Sequence, residues 1–575
     1  MLNEQMTSEI LWTSAFFNER FPTPISPLGW SHIGPLIEEL ALRDPLRCLG
    51  YPDAETIPLT RVWHGHPYAN AHAFQIFYKV FPDFFLPEDA YRFFPNGDVR
   101  LRQHAPYPRW SDAPRWVLSL LRTFFSDPFN VSPLNNYRHW ARFTRTHDAR
   151  IAALRARVGD HAESPLQNPR EIFDALRDAR SAALRARVGD HAGSPLQNPR
   201  EIFDALRDAE RLHRDVLRIH RWSLTDADLA FGLLKRLVAA WVDRAHANDI
   251  AARLVADVPN KTLEVDAALR RLSIDDSQLA MDDFLAEHGH RSFSLDIAVP
   301  TFAEDPSQIE QLMQPMTADD RPPTATERPS SAVGGLRSVL FNAVLSLARH
   351  YIALREDQRY YWQKSLALAR RLYLLLADRL VADGVIAERA AVFYATHQEL
   401  VEYFDARLPK TELARLIAAR QIEWREYQRE FEQSPTTAYP PFLRGDVFVV
   451  AASAVVPAST TAQAVTTNAR QWRGRAVSPG VARGIARVIQ SASELSRVQR
   501  GDILVAPATD PAWTPVFARL AGLVVERGGV LSHSAVVARE YHLPAVAGIA
   551  NIVAEIREGE IVEVDGSRGI VSVVQ

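Results

Sequence analysis

A chain of 575 residues is too long for one hydrophobic core and predicts two to four domains. A net charge of -3 excludes an electrostatic pull toward nucleic acid or an anionic membrane. The single cysteine, Cys48, excludes an intrachain disulfide and a cysteine-built metal site, and fits a reducing cytoplasm. The start, MLNEQMTSEILW, lacks the basic residues and apolar run of a signal peptide. The longest apolar stretch, 447–458, falls short of the roughly 20 residues that cross a bilayer. The expectation is a soluble cytoplasmic protein whose 12 Trp and 27 Phe fill a large apolar interior or line an apolar ligand cavity.

Residues 1–145 are rich in proline and aromatics (FPTPISPLGW, YPRW, DPFNVSPLNNY), which predicts short helices and strands joined by ordered loops. From 148 to 256, apolar residues recur at three- and four-residue spacing among Arg, Asp and Glu, the signature of amphipathic helices. This stretch contains a direct duplication. Residues 150–179 are repeated at 180–209, differing only at Ile151 against Ser181 and Glu163 against Gly193. Two copies are fewer than a solenoid needs, so the repeat reads as a tolerated insertion that lengthens a helical hairpin. Residues 301–336 are rich in Pro, Thr and Ser and predict a loop. Long amphipathic helices return from 342 to 429, and 451–471 reads as an interdomain linker. From 472 to 575, strands alternate with short helices. The expected fold is therefore multidomain: a mainly α-helical substrate domain over 1–450, then a C-terminal α/β domain.

Chemistry concentrates in AGLVVERGGVLSHSAVVAREYHLPAVAG, residues 521–548. Leu523 to Glu526 reads as a buried strand, and Gly528 and Gly529 permit a tight loop. Ser532 stands where a helix N-cap belongs, so His533 falls in the first turn of a helix running to Glu540. Free N–H groups and a partial positive charge at a helix start stabilise a bound phosphate, and the same field keeps the imidazole neutral and nucleophilic. Ser532 can donate a hydrogen bond to a phosphate there, and Arg539 can add positive charge. His542, in the tail of the segment, reads as structural.

The run GGVLSHSAVVAREYHLPAVAG, with GRAVSPGVARGIARV and GEIVEVDGSRGIV around it, resembles the swivelling phosphohistidine domain of the phosphoenolpyruvate-utilising enzymes. That resemblance implies a phosphoryl carrier at His533, with Gly528, Gly529, Ser532 and Arg539 stabilising the phosphate. Four further segments resemble the rifampin phosphotransferase type within that family: LWTSAFFNERFPTPISPLGWS near the start, Glu287 to Pro306, Ala353 to Ile386, and Asp510 to Phe517. The family's Arg-Glu-x-x-Lys motif corresponds to Arg355, Glu356 and Arg359, with Arg in place of Lys. The resemblance implies that Glu356 accepts the proton of an acceptor hydroxyl while Arg355 and Arg359, i and i+4 on one helix, stabilise the transferring phosphoryl group.

This sequence shows neither a glycine-rich phosphate cradle before the substrate-domain signature nor a P-loop anywhere. The expectation is the carrier-and-acceptor half of a split phosphotransferase. A separate ATP-grasp nucleotide-binding protein, holding ATP and Mg, would charge His533, and the carrier would rotate on the linker to a small, apolar, hydroxyl-bearing substrate. No metal site is expected in this chain, and no nucleic acid or membrane partner. Two alternatives stand beside this reading: a condensing enzyme that uses phosphoryl activation, as prodigiosin-condensing relatives do, and a non-catalytic binding protein that His533 phosphorylation regulates.

Overall fold

The computed structural model describes residues 10–574 except 19, 22, 81–89, 91–92, 96–97, 128, 159–197, 256–257, 275–277, 311–335, 434–439, 445–446, 449–469, 491, 510–512 and 530–531. Its first strand, β1 (Leu11–Thr13), is central in a five-stranded antiparallel sheet ordered β2-β3-β1-β4-β5. Strands β2 (Thr60–Trp63) and β3 (His66–Asn70) follow soon in sequence, whereas β4 (Phe442–Arg444) and β5 (Val447–Phe448) come from the far end of the helical region. Trp12 pairs with Leu443, and Trp12, Tyr68 and Leu443 share a small apolar cluster. The sheet therefore closes the helical region on itself. Strands of two to five residues carry too few alternating positions to announce such a pairing in the sequence.

Between these strands run helices α1 (Pro27–Ile37), α2 (Ala71–Lys79), α3 (Pro133–Val158), α4 (Pro199–Trp241), α5 (Lys261–Ile274), α6 (Leu336–Ala382) and α7 (Lys410–Gln433). Helix α4 starts where its sequence dictates: Asn198 accepts from the Arg200 amide at 3.0 Å and Pro199 occupies the first turn. Ile202, Leu206, Ala209, His213, Val216 and Leu217 then return to one buried face at three- and four-residue spacing. Helices α4 and α6, about 65 and 70 Å long at 1.5 Å per residue, lie along each other and form the spine of the region, with α3 and α5 against them. Leu212, Val216 and Ile219 of α4 share one core with Leu366, Leu372 and Leu376 of α6.

Of the tandem repeat, only the outer ends are described, as the end of α3 and the start of α4. They are tied by Arg150–Asp215 and Arg157–Asp208 ion pairs at 2.9 Å each. Its middle, most of the expected 301–336 loop and nearly all of the expected linker lie outside the described residues.

From Gln471 onward an eight-stranded mixed sheet takes over, ordered β6-β13-β12-β8-β9-β10-β11-β7. Its strands are β6 (Gln471–Arg473), β7 (Arg475–Ser478), β8 (Val481–Val488), β9 (Ile503–Ala506), β10 (Gly522–Val525), β11 (Ala545–Ala547), β12 (Ile561–Asp565) and β13 (Ile570–Val573). Strands β8 to β11 are mutually parallel, crossing over through α8 (Thr514–Phe517) and α9 (His533–Glu540); the outer strands are antiparallel. Alternation along each strand feeds two cores. Ile503, Val505, Val524 and Val546 face one side with Ile552 and Ile556. Leu504, Ala506, Leu523 and Val525 face the other, against Val516, Phe517, Ala535 and Ala538. That second core continues into Phe231, Leu234 and Val238 of α4 and into Phe341, Val344 and Ala348 of α6. The helical-then-α/β order expected from the sequence is present, and apolar packing joins the two regions. No helix among the described residues is long and apolar enough to cross a membrane.

Candidate active site

Strand β10 ends at Val525, on the carboxyl edge of the parallel strands, where ligand sites of open α/β sheets lie. The chain then turns through Gly528, whose φ of 137° belongs to glycine; a Cβ there would stand 2.8 Å from the Ser532 Oγ. Ser532 is the N-cap of α9, its Oγ accepting from the Ala535 amide at 3.4 Å. The Ser532 hydroxyl donates to the Gly529 carbonyl at 2.8 Å, so with its one hydrogen so used it accepts from the Ser534 Oγ, also at 2.8 Å. His533 is the first residue of α9, in the first turn that the Ser532 cap predicts. Arg539, buried in the last turn, donates to the Val477 carbonyl at 3.0 Å and braces α9 against β7. Burial, opposed by Glu540 and reinforced by Arg355, lowers its guanidinium to about 10. His542 takes a left-handed conformation (φ 52°) at the turn that closes α9.

The imidazole of His533 points at α6. Its Nδ1 lies 3.6 Å from Glu356 Oε2, with both side chains about nine-tenths buried. Thr262, in the first turn of α5, donates to the same carboxylate oxygen at 3.2 Å. Burial pushes the Glu356 carboxyl up, but the imidazole, with Arg355 and Arg359 behind it, outweighs burial and holds it at about 2. A carboxylate held ionised this firmly is a poor proton acceptor from a hydroxyl and a good counter-ion for an imidazolium.

Arg355, Arg359 and Trp362 fall on one stripe of α6, at i, i+4 and i+7, with Glu356 on the neighbouring column. All four line a cavity of about 130 Å³ that His533 and Thr509 also line. Phe16, Phe74, Tyr78 and Phe93 give it an aromatic wall, in which Phe74 and Phe93 stack at 4.2 Å. Arg20, Arg221, Arg355 and Arg359 set four guanidinium groups against two lining carboxylates, Glu356 and Asp228. Arg221 is anchored to the Ala41 carbonyl and the Thr225 Oγ1, at 2.9 and 3.0 Å. Arg355 makes no hydrogen bond or ion pair among the described residues. His220 Nε2 faces the Arg20 Nη2 at 3.4 Å, and its Nδ1 faces the Gln358 Oε1 at 2.8 Å. Arginine only donates, so this histidine is neutral and carries its proton on Nδ1. Burial first, then Arg20, lowers its pKa to about 3.

The structure thus brings His533, Glu356, Arg355 and Arg359 to one cavity. Gly528, Gly529 and Ser532 shape the loop that presents the histidine, and Arg539 braces its helix. Sequence reasoning missed Arg20, His220, Thr262 and Thr509, which lie far apart in the chain; Arg20 sits inside the first family-like segment without being singled out there, and the others sit in segments that read only as helix or loop. The signature at Glu287 to Pro306 proves to be framework around Leu295, which also lines the cavity. Asp296 accepts from the Ser26 amide and hydroxyl at 2.7 Å each, and Arg370 clamps Glu304 and the Ile297 carbonyl. Among the described residues, no group of three or more His, Cys, Asp or Glu is placed to hold a metal ion.

Comparison with known families places the mobile domain of the PEP-utilising enzymes over residues 498–569 and the rifampicin phosphotransferase fourth domain over 273–356. The first match contains His533 and the second ends on Glu356. The chain is 33 % identical to a rifampicin phosphotransferase of Bacillus subtilis over 231 residues, 40 % of this chain and 24 % of that enzyme. It is 30 % identical to a chondramide synthase of Chondromyces crocatus over 320 residues, 51 % of this chain and 8 % of that protein. It is 44 % identical to a phosphoenolpyruvate synthase of Deinococcus radiodurans over 96 residues, 17 % of this chain and 12 % of that enzyme. The chain spans about a quarter or less of the length of these relatives.

Proposed function

We propose, from the premise that this chain carries the mobile domain of the PEP-utilising enzymes, that it is the carrier-and-acceptor part of a phosphotransferase. His533 receives a phosphoryl group from an ATP-grasp nucleotide-binding domain outside these 575 residues and passes it to a hydroxyl in the aromatic-walled cavity. One observation carries the reading. The first residue of a capped helix, in a carrier-type domain, is closed over a cavity in which Arg355 and Arg359 stand beside an ionised Glu356. His533 is only 9 % exposed here, so the arrangement is that of the acceptor station, and the α/β region must leave it for His533 to meet a donor.

With Nδ1 toward Glu356, the phosphoryl group rides on Nε2. The acceptor oxygen attacks phosphorus in line, the P–Nε2 bond breaks with its electron pair going to Nε2 while Nδ1 keeps its proton, and the hydroxyl proton, which starts across phosphorus from Nε2, reaches it through a phosphoryl oxygen. The resulting imidazolium is stabilised by Glu356, which Thr262 holds in place. Arg355 and Arg359 neutralise the transferring oxygens. Glu356 is thereby an orienting counter-ion rather than the general base expected from the motif. The cavity is smaller than the roughly 300–1,000 Å³ of drug-sized pockets, so the acceptor presents only its hydroxyl-bearing end while the carrier is docked.

A second reading rests on the chondramide synthase match, the longest of those described: phosphoryl activation that ends in bond formation between two molecules. Product analysis separates the two. Turnover with radiolabelled phosphoryl donor gives a phosphorylated product under the first reading, and free phosphate with an unphosphorylated condensation product under the second.

A further inference from the structure

Arg527 precedes the glycines that present His533, and it reaches out of the α/β region into the helical one. Its Nη1 lies 3.1 Å from the side-chain amide of Asn18. Only one amide orientation satisfies everything around Asn18. Its oxygen accepts from Arg527 Nη1 and Ser14 Oγ, both at 3.1 Å. Its nitrogen donates to the Ser14 carbonyl at 3.1 Å and to His66 Nε2 at 2.8 Å. The reverse orientation would set an amide N–H against a guanidinium N–H. Asn18 and His66 are buried, at 8 % and 1 % exposure. His66 is neutral, since burial and then Arg527 hold its pKa at about 3, so its Nε2 can accept. His66 belongs to β3 of the small sheet, so the chain of contacts ends on rigid backbone.

Asn18 also sits between two cavity residues. Phe16 and Arg20 line the acceptor cavity from the same short turn, in which the Asn18 and Phe21 amides bond to the Ser14 and Phe17 carbonyls. Whatever holds Asn18 therefore sets the cavity wall two residues to either side.

We infer that Arg527, Asn18 and His66 form a latch that docks the carrier region at the acceptor station and fixes the Phe16–Arg20 wall of the cavity in the same act. Arg527 and Asn18 are positioning residues, since neither lines the cavity. The role in transfer rests on the phosphotransferase reading above, whereas the docking itself does not. A hydrogen bond to a charged group contributes about 1.5–3 kcal/mol, so losing the contact lowers the docked-to-undocked ratio about ten- to a hundred-fold.

The test uses the full chain with Cys48→Ala and spin labels at Asp405→Cys and Ser567→Cys, both exposed, one on each region. Electron-electron distance measurements on this background should give one narrow population. Asn18→Ala, or Arg527→Gln from the other side of the contact, should add a second, longer-distance population. With the carrier charged, Asn18→Ala should slow transfer to acceptor at least ten-fold and leave the rate of His533 phosphorylation unchanged. Distance distributions unaltered in both variants would overturn the latch, whatever the activity. A distribution that shifts in both variants, in a protein that transfers no phosphoryl group, would leave the latch standing and sink the phosphotransferase reading instead.

Discussion

Glu356→Gln isolates the charge of the acceptor-side carboxylate while keeping its shape and an oxygen for Thr262 to donate to. Burial alone would push this carboxyl above its ordinary 4.5, yet it sits at about 2 because of His533, Arg355 and Arg359. At 1.36 kcal/mol per tenfold, that difference corresponds to about 3 kcal/mol of preference for the charged form. Part of this belongs to Arg355 and Arg359, so removing the charge should slow transfer by up to about 10²-fold, because the imidazolium formed as the phosphoryl group departs loses its counter-ion. The assay charges His533 first, removes the donor, adds acceptor, and follows loss of label from the protein by rapid quench. Charging should proceed at the wild-type rate, since the donor reaction takes place away from this cavity. Transfer by Glu356→Gln within about three-fold of wild type would refute the counter-ion argument. A variant that cannot be charged would place Glu356 in the donor step or in folding.

Buried histidines make stability acid-sensitive. His66, His220 and His288 are held at about 3 and His213 at about 4, chiefly by burial. The unfolded chain binds protons to these residues below about 6.5 while the native state does not, so stability falls as pH drops from 6.5 toward 4, by about 1.4 kcal/mol per histidine per pH unit. The melting temperature should be nearly flat from pH 8 to 7 and fall steeply between 6.5 and 5; a flat profile down to pH 5 would contradict their burial as neutral groups. Gly528→Ala places a methyl group 2.8 Å from the Ser532 Oγ at a φ of 137°, so the loop that presents His533 must shift. Phosphorylation of His533 should fall at least ten-fold with little change in the melting of the helical region, and unaltered phosphorylation would show that the loop tolerates the strain.

The carrier helix could be read from the sequence because everything that defines it is contiguous. The strand, the glycine turn, the Ser532 cap and His533 occupy one short run, and local chemistry fixes their arrangement. The acceptor side was only half readable. Arg355 and Arg359 stand i and i+4 on one helix, so their spacing declared a common face, with Glu356 on the column beside it. Their partners come from β1's following turn (Arg20), the middle of α4 (His220) and the start of α5 (Thr262), which only the tertiary packing of α4 against α6 assembles. The role of Glu356 shows the same limit. The resemblance implies a base, whereas the 3.6 Å approach to His533 and the depressed pKa, both products of the docking of two regions, support the counter-ion role proposed above. The small sheet escaped the sequence for a related reason, since β1 and β4 are three residues each and pair across more than 400 positions.

The central claim is that a phosphoryl group travels on His533, and the most direct measurement is the fate of radiolabel on intact protein. The chain is incubated with labelled ATP and an ATP-grasp partner, then resolved with His533→Ala and His542→Ala beside the wild type. The account predicts a label that is lost in acid, survives alkali, is absent from His533→Ala, and is present in His542→Ala. Replacing His533 should leave the fold nearly unchanged, because Ser532 still caps α9. Label retained in His533→Ala, or no label on wild type with a partner proven to charge a related carrier, would contradict it.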